Sequence, residues 1–148
     1  MKSPQWTVFL FALLALVLLA EPAAAQDRPY TEGTVWQVTY VRTEPGRTED
    51  YLRNLQANWK RVNDAAIEKG YVVSYKILSA PPGDQDDWDL LLLVEYPNMA
   101  VFDGANEKFD PISESVAGPR PQQQQATVER GQLRTILGER LARELTLN

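Results

Sequence analysis

One stretch, Trp88-Asp89-Leu90-Leu91-Leu92-Leu93-Val94-Glu95-Tyr96, constrains this chain more than any other. Leu90 to Val94 is apolar without a break. A β-strand sends successive side chains to opposite faces, so this strand is apolar on both. Such a strand needs cover on both faces. It is therefore expected at the centre of a sheet, with helices against one side and something else against the other.

The neighbouring segments supply the helices. Val35 to Arg42 alternates, with Trp36, Val38 and Tyr40 on one face and Val35, Gln37, Thr39 and Val41 on the other; β-branched and aromatic residues at period two predict a strand, ended by Pro45-Gly46. Thr48 is placed to cap a helix whose stripe is Leu52, Leu55, Trp59, Val62 and Ala66, closed by Gly70. Tyr71 to Ala80 is a second strand, stopped by Pro81-Pro82-Gly83-Asp84. After the apolar strand, Asn98 is placed to cap a helix carrying Phe102, Ala105, Phe109, Ile112 and Val116, which Pro111 should kink or divide. Gln122–Leu137 is expected as a third, surface-lying helix, and Leu141 to Thr146 as a charged edge strand. The order β-α-β-β-α-(α)-β is an α+β, ferredoxin-like arrangement with a four-stranded antiparallel sheet. Helices on one face leave the other face bare.

The first 25 residues are of another kind. Lys2 is followed by an apolar run from Trp6 to Ala20, then Pro22 and Ala23-Ala24-Ala25. The run is shorter than the roughly 20 residues a spanning helix needs. A charged start, a short apolar run and a small-residue site predict a signal peptide over 1–25, cleaved after Ala25. The product would be periplasmic or secreted, with no membrane association after cleavage. Residues 26–33 are expected as a flexible lead, and 34–148 as a single domain.

Composition narrows the chemistry. There is no cysteine and no histidine. Within one chain this excludes disulfides, thiol nucleophiles, Cys/His zinc sites and Ser-His-Asp catalysis. No cofactor and no metal is expected. The formal net charge of −5 makes nucleic acid an unsuitable partner. No glycine-rich phosphate loop is present. Asp84, Asp86, Asp87 and Asp89 cluster without calcium-loop spacing and are expected as a solvated loop. Arg130, Arg134, Arg140 and Arg143 interleave with Glu129, Glu139 and Glu144, the pattern of a salt-bridged surface.

These elements resemble the dimeric α/β-barrel superfamily, which includes antibiotic-biosynthesis-type monooxygenases and stress-responsive barrel proteins. The residues that carry the resemblance are Val35–Arg42 running into Glu44-Pro45-Gly46-Arg47, the helix with Tyr51, Leu52 and Leu55, the Trp88–Tyr96 strand, and the closing Leu137-Gly138-Glu139-Arg140-Leu141. The resemblance implies a homodimer in which two sheets pack face to face and cover Leu91 and Leu93. The histidine of haem-handling and histidine-base members has no counterpart here.

Strand alternation sorts the sheet into two sets. Trp36, Val38, Tyr40, Tyr71, Val73, Tyr75, Leu90, Leu92, Val94 and Tyr96 form one; Gln37, Thr39, Ser74, Lys76, Leu91, Leu93 and Glu95 form the other. A packed core tolerates few unpaired polar groups, whereas a chamber holding water or ligand tolerates more. The first set is expected against the helices and the second in the inter-sheet chamber. A one-residue slip would exchange the lists. Gln37, Thr39, Ser74, Lys76 and Glu95 are thus the candidate ligand-binding residues, with a Lys76–Glu95 ion pair conceivable and Trp88 at the mouth. Interface hydrogen bonds and core aromatics are the plainer alternatives for the same residues. Two functions fit: a homodimeric barrel binding a small apolar or aromatic ligand, or a cofactor-independent oxygenase or isomerase acting on an aromatic or polyketide-like compound, with a Tyr, Lys76 or Glu95 handling protons. Partner recognition through the Gln122–Leu137 helix is a third.

Overall fold

The computed structural model describes residues 28–84 and 86–148. The signal peptide expected over 1–25 lies outside the described residues. Glu32–Thr146 forms one compact unit; residues 28–31 and Leu147–Asn148 belong to a second, in which the Asn148 N–H donates to the Pro29 carbonyl at 3.0 Å.

The elements are β1 (Tyr30–Thr43), α1 (Thr48–Asn54), one π-helical turn (Leu55–Trp59), α2 (Lys60–Glu68), β2 (Ser74–Ser79), β3 (Leu90–Tyr96), a 3-10 turn (Met99–Phe102), α3 (Ala105–Ala117), α4 (Arg120–Gly131) and β4 (Arg134–Leu147). The sheet order is β2-β3-β1-β4. β3 lies antiparallel to both neighbours, from Val35↔Tyr96 to Val41↔Leu90 on one side and from Ser74↔Glu95 to Ser79↔Leu90 on the other. This is the ferredoxin-like arrangement, with β3 interior and β4 at an edge.

Leu90, Leu92, Val94 and Tyr96 are buried beneath the helices. The helix-side core is in two parts. Val35, Ala66, Val72, Val94, Tyr96, Val101 and Ile112 form one. Val41, Tyr51, Leu55, Leu90 and Leu92 form the other. Trp59 packs against both.

Several boundaries differ from expectation. β1 begins at Tyr30, so part of the expected lead is strand. Thr48 starts α1 and does not cap it; Arg47 holds the cap position without a side-chain bond. The expected helix from Asn98 is two elements: Asn98 caps the short turn, and Gly104, at φ 64°, starts α3. That left-handed backbone is open to glycine at little cost. Pro111 does not divide α3, because Pro111 and Glu107, whose carbonyl loses its N–H partner there, both sit on the exposed side. The third helix is Arg120–Gly131, and Leu133 to Leu137 belongs to the turn and strand that follow. Gly70 closes α2 as expected. It stands at φ 72°, its N–H bonds the Ile67 carbonyl, and the Tyr71 N–H bonds the Ala66 carbonyl, the paired bonds of a Schellman cap.

The start of β3 is tied to the end of β1 through Asp89. Its carboxylate accepts from the Thr43 N–H at 2.9 Å and from the Thr43 hydroxyl, which also bonds the Thr48 hydroxyl. Thr43 is buried, so losing the carboxylate strands two donors. Asp89→Ala is expected to cost about 2–3 kcal/mol in urea unfolding, as bonds to charged acceptors do. Asp84→Ala in the nearby loop should stay within about 0.5 kcal/mol. Equal effects at the two positions would refute the role given to Asp89.

Candidate functional site

Between the two halves of the core, β1 turns two polar side chains toward the helices. Gln37 and Thr39 stand there between buried Val35 and Val41. A cavity of about 340 Å³ lies over them. Its apolar walls include Leu55, Trp59, Leu92, Val94 and Phe109, and its polar groups include Tyr51, Asn58, Asn63, Tyr96, Arg130, Arg134 and Glu139. The Tyr96 hydroxyl donates to Gln37 Oε1 at 2.7 Å, and the Thr39 hydroxyl donates to Glu139 at 3.1 Å.

The roof of the cavity is where the helix is irregular. An α-helix makes about 3.6 residues per turn, so residues four apart drift by about 40°. Tyr51, Leu55 and Trp59 nevertheless all face inward. The wider turn at Leu55–Trp59 absorbs the drift, and the Lys60 N–H bonds the Leu55 carbonyl five residues back. Two asparagines attend it. Asn58 Nδ2 donates to the Asn54 carbonyl at 3.1 Å and Asn63 Nδ2 to the Trp59 carbonyl at 2.8 Å. The same rephasing puts Tyr51 in the core and leaves the expected stripe member Leu52 exposed.

The sequence-derived set of site residues is therefore divided. Gln37 and Thr39 line the helix–sheet cavity. Ser74, Lys76 and Glu95 occupy the open face, with Trp36, Val38, Tyr40, Leu91 and Leu93. The polarity argument fails on β1, where Trp36, Val38 and Tyr40 face away from the helices. The two polar residues sit under the helices because a cavity opens there. The ion pair considered between Lys76 and Glu95 is replaced by other contacts. Glu95 accepts from Thr34 at 2.9 Å and Ser74 at 2.6 Å, and the Lys76 ammonium lies 4.6 Å from the centre of the Trp36 ring. Trp88 lines a shallow pocket with Tyr40, Leu137 and Arg140 at the margin of this face. In the acidic loop, Asp84 accepts from the Asp86 N–H, Asp87 accepts from the Gly83 N–H, and Asp86 pairs with Arg42. Among the described residues no group of three or more acidic side chains is placed to hold a metal ion.

The polar cavity residues that escape sequence reasoning include Tyr51, Asn54, Asn58, Asn63, Arg130, Arg134 and Glu139. A signal existed for the asparagines. Asn54, Asn58 and Asn63 follow one another at steps of four and five inside a helix, where asparagine is a poor former. The arginines were hidden by the glutamates interleaved with them. Arg143 does pair, with Glu32, but Arg130 and Arg134 are in no ion pair among the described residues.

Burial sets the phenols of the cavity. It pushes the Tyr96 hydroxyl up to about 12, helped by the charge of Glu139. Burial also raises Tyr51, against the opposing hydrogen bond and charge of Arg134. Both stay protonated at neutral pH. For Tyr96 the fold favours the neutral form, so this contribution is whole below about pH 10, the ordinary phenol value, and is lost as pH rises to about 12. The urea midpoint of the protein is expected to fall through that window, and that of Tyr96→Phe to fall less. Parallel loss in both proteins would overturn the assignment.

No family model matches this chain, and no curated protein matches it. Among solved structures, a dimeric ferredoxin-like protein from an uncultured marine organism is similar at 9% identity, over 80% of this chain and 90% of that one, with a TM-score of 0.48.

Proposed function

We propose that this chain is a small exported binding protein that takes a small aromatic molecule into the helix–sheet cavity and works as a homodimer. The observation that carries the reading is the cavity itself. Its volume of about 340 Å³ falls within the roughly 300–1,000 Å³ of small-molecule sites, and a few polar groups converge among aromatic walls. The protonated phenols favour binding over proton abstraction, and Lys76 and Glu95, the side chains considered for that work, lie across the sheet from the cavity. Of the groups named for the oxygenase or isomerase reading, only tyrosines line this site.

The second copy follows from the open face. Leu91 and Leu93 of β3 are half-exposed there, beside Trp36, Val38, Tyr40 and the exposed Leu78. Lys76 and Glu95 on this face already have local contacts, which lowers the cost of covering them. Export rests on the leader over 1–25, and the mature chain would begin at Gln26. Among the described residues no helix is long and apolar enough to cross a membrane.

Benzamide, a neutral planar aromatic, serves as the probe. It is expected to bind the full chain in calorimetry and to shift the Trp59 indole N–H in NMR. Thr39→Phe, which fills the cavity, should weaken it at least tenfold. Unchanged binding in Thr39→Phe would refute the site. In sedimentation the wild-type chain should run as a dimer and Leu93→Lys as a folded monomer; a monomeric wild type at micromolar concentration would refute the assembly.

A further inference from the structure

Two cations meet at one side of the cavity with no carboxylate between them. Arg130 comes from the end of α4, and Arg134 from the first residue of β4. Both line the cavity. The Arg134 guanidinium carbon lies 5.9 Å from the centre of the Tyr51 ring. Its Nε is buried and has no hydrogen-bond partner among the described residues. Arg130 donates to the Thr127 hydroxyl at 2.7 Å and to no carboxylate. Glu139, the one acid lining the cavity, takes the Thr39 hydroxyl.

A buried donor without an acceptor is costly, and like charges brought together add to the cost. The proximity shows in Arg130, which is held below the usual guanidinium range by burial and then by the charge of Arg134. The arrangement is one that an anion would relieve. A carboxylate fits a guanidinium edge with two parallel bonds, and the Tyr51 hydroxyl, protonated at neutral pH, adds a donor. Leu55, Trp59, Leu92, Val94 and Phe109 supply apolar wall for a ring.

We propose that the helix–sheet cavity is selective for aromatic carboxylates, with Arg134 as the anion receptor, Arg130 as a supporting charge, and Trp59, Phe109 and Val94 against the ring. This rests on the cavity being a ligand site. It adds the ligand's charge and the end of the cavity where that charge lies. Glu139 also lines the cavity and disfavours an anion placed beside it.

Benzoate and benzamide separate the two levels, since they share a ring and differ in charge. The full chain is expected to bind benzoate at least tenfold more tightly than benzamide. Arg134→Gln should abolish that preference, read as the ratio of benzoate to benzamide affinity within the variant; Arg130→Gln, at a partly exposed position on α4, should reduce the preference without abolishing it. Benzamide binding with no preference for benzoate, or a preference that survives Arg134→Gln, overturns the anion receptor and leaves the cavity reading standing. Failure of both probes to bind overturns both. If Arg134→Gln does not fold, the Arg130→Gln ratio decides: an unchanged ratio rejects the proposal.

Discussion

The helix-side core is interrupted where a small protein would ordinarily be most continuous. Val35 and Val41 anchor two apolar clusters, and Gln37 and Thr39 separate them along the same strand face. Packed interiors leave few voids, and polar groups inside them need partners. Here the polar pair is satisfied by Tyr96 and Glu139, and the space above it stays open. Trp59 spans the gap and touches both clusters. The cavity is thus a consequence of how the core is divided, and Trp59 is both its wall and the bridge that keeps the two halves one layer.

The two sides of the sheet treat polar groups differently. On the helix side they point at a cavity, and Arg134 keeps a donor unused. On the open side Glu95 takes the Ser74 hydroxyl and shares the Thr34 hydroxyl with Glu144, and Lys76 lies over the Trp36 ring. A surface to be buried against a second copy benefits from such self-contained pairs. A surface meant for a ligand benefits from the reverse. The distribution supports a division of labour between the faces.

The sheet was legible because β3 is apolar on consecutive residues, and only an interior strand accounts for that. The element order and the edge position of the last strand followed. The site was only half legible. Gln37 and Thr39 were recognised as out of place in a core, but polarity alone assigned them to the wrong face of β1, since a cavity under the helices answers the same polarity argument as a chamber between sheets. Ser74, Lys76 and Glu95 were placed on the open face correctly. The rephased helix was hidden because a 3.6-residue period selects Leu52 where the wide turn selects Tyr51. Arg130 and Arg134 were masked by neighbouring glutamates that turn elsewhere, and pairing across strands cannot be read from spacing along the chain.

The wide turn at Leu55–Trp59 gives the chain an unusual separability. It accommodates one residue more than a regular helix would need over the same rise. Removing a single codon there would let the helix regularise while the residues on either side keep roughly their orientation. The sheet, its register and the open face would keep their sequence. The roof of the cavity can thus be reshaped in one mutational event while the strands beneath it keep their sequence.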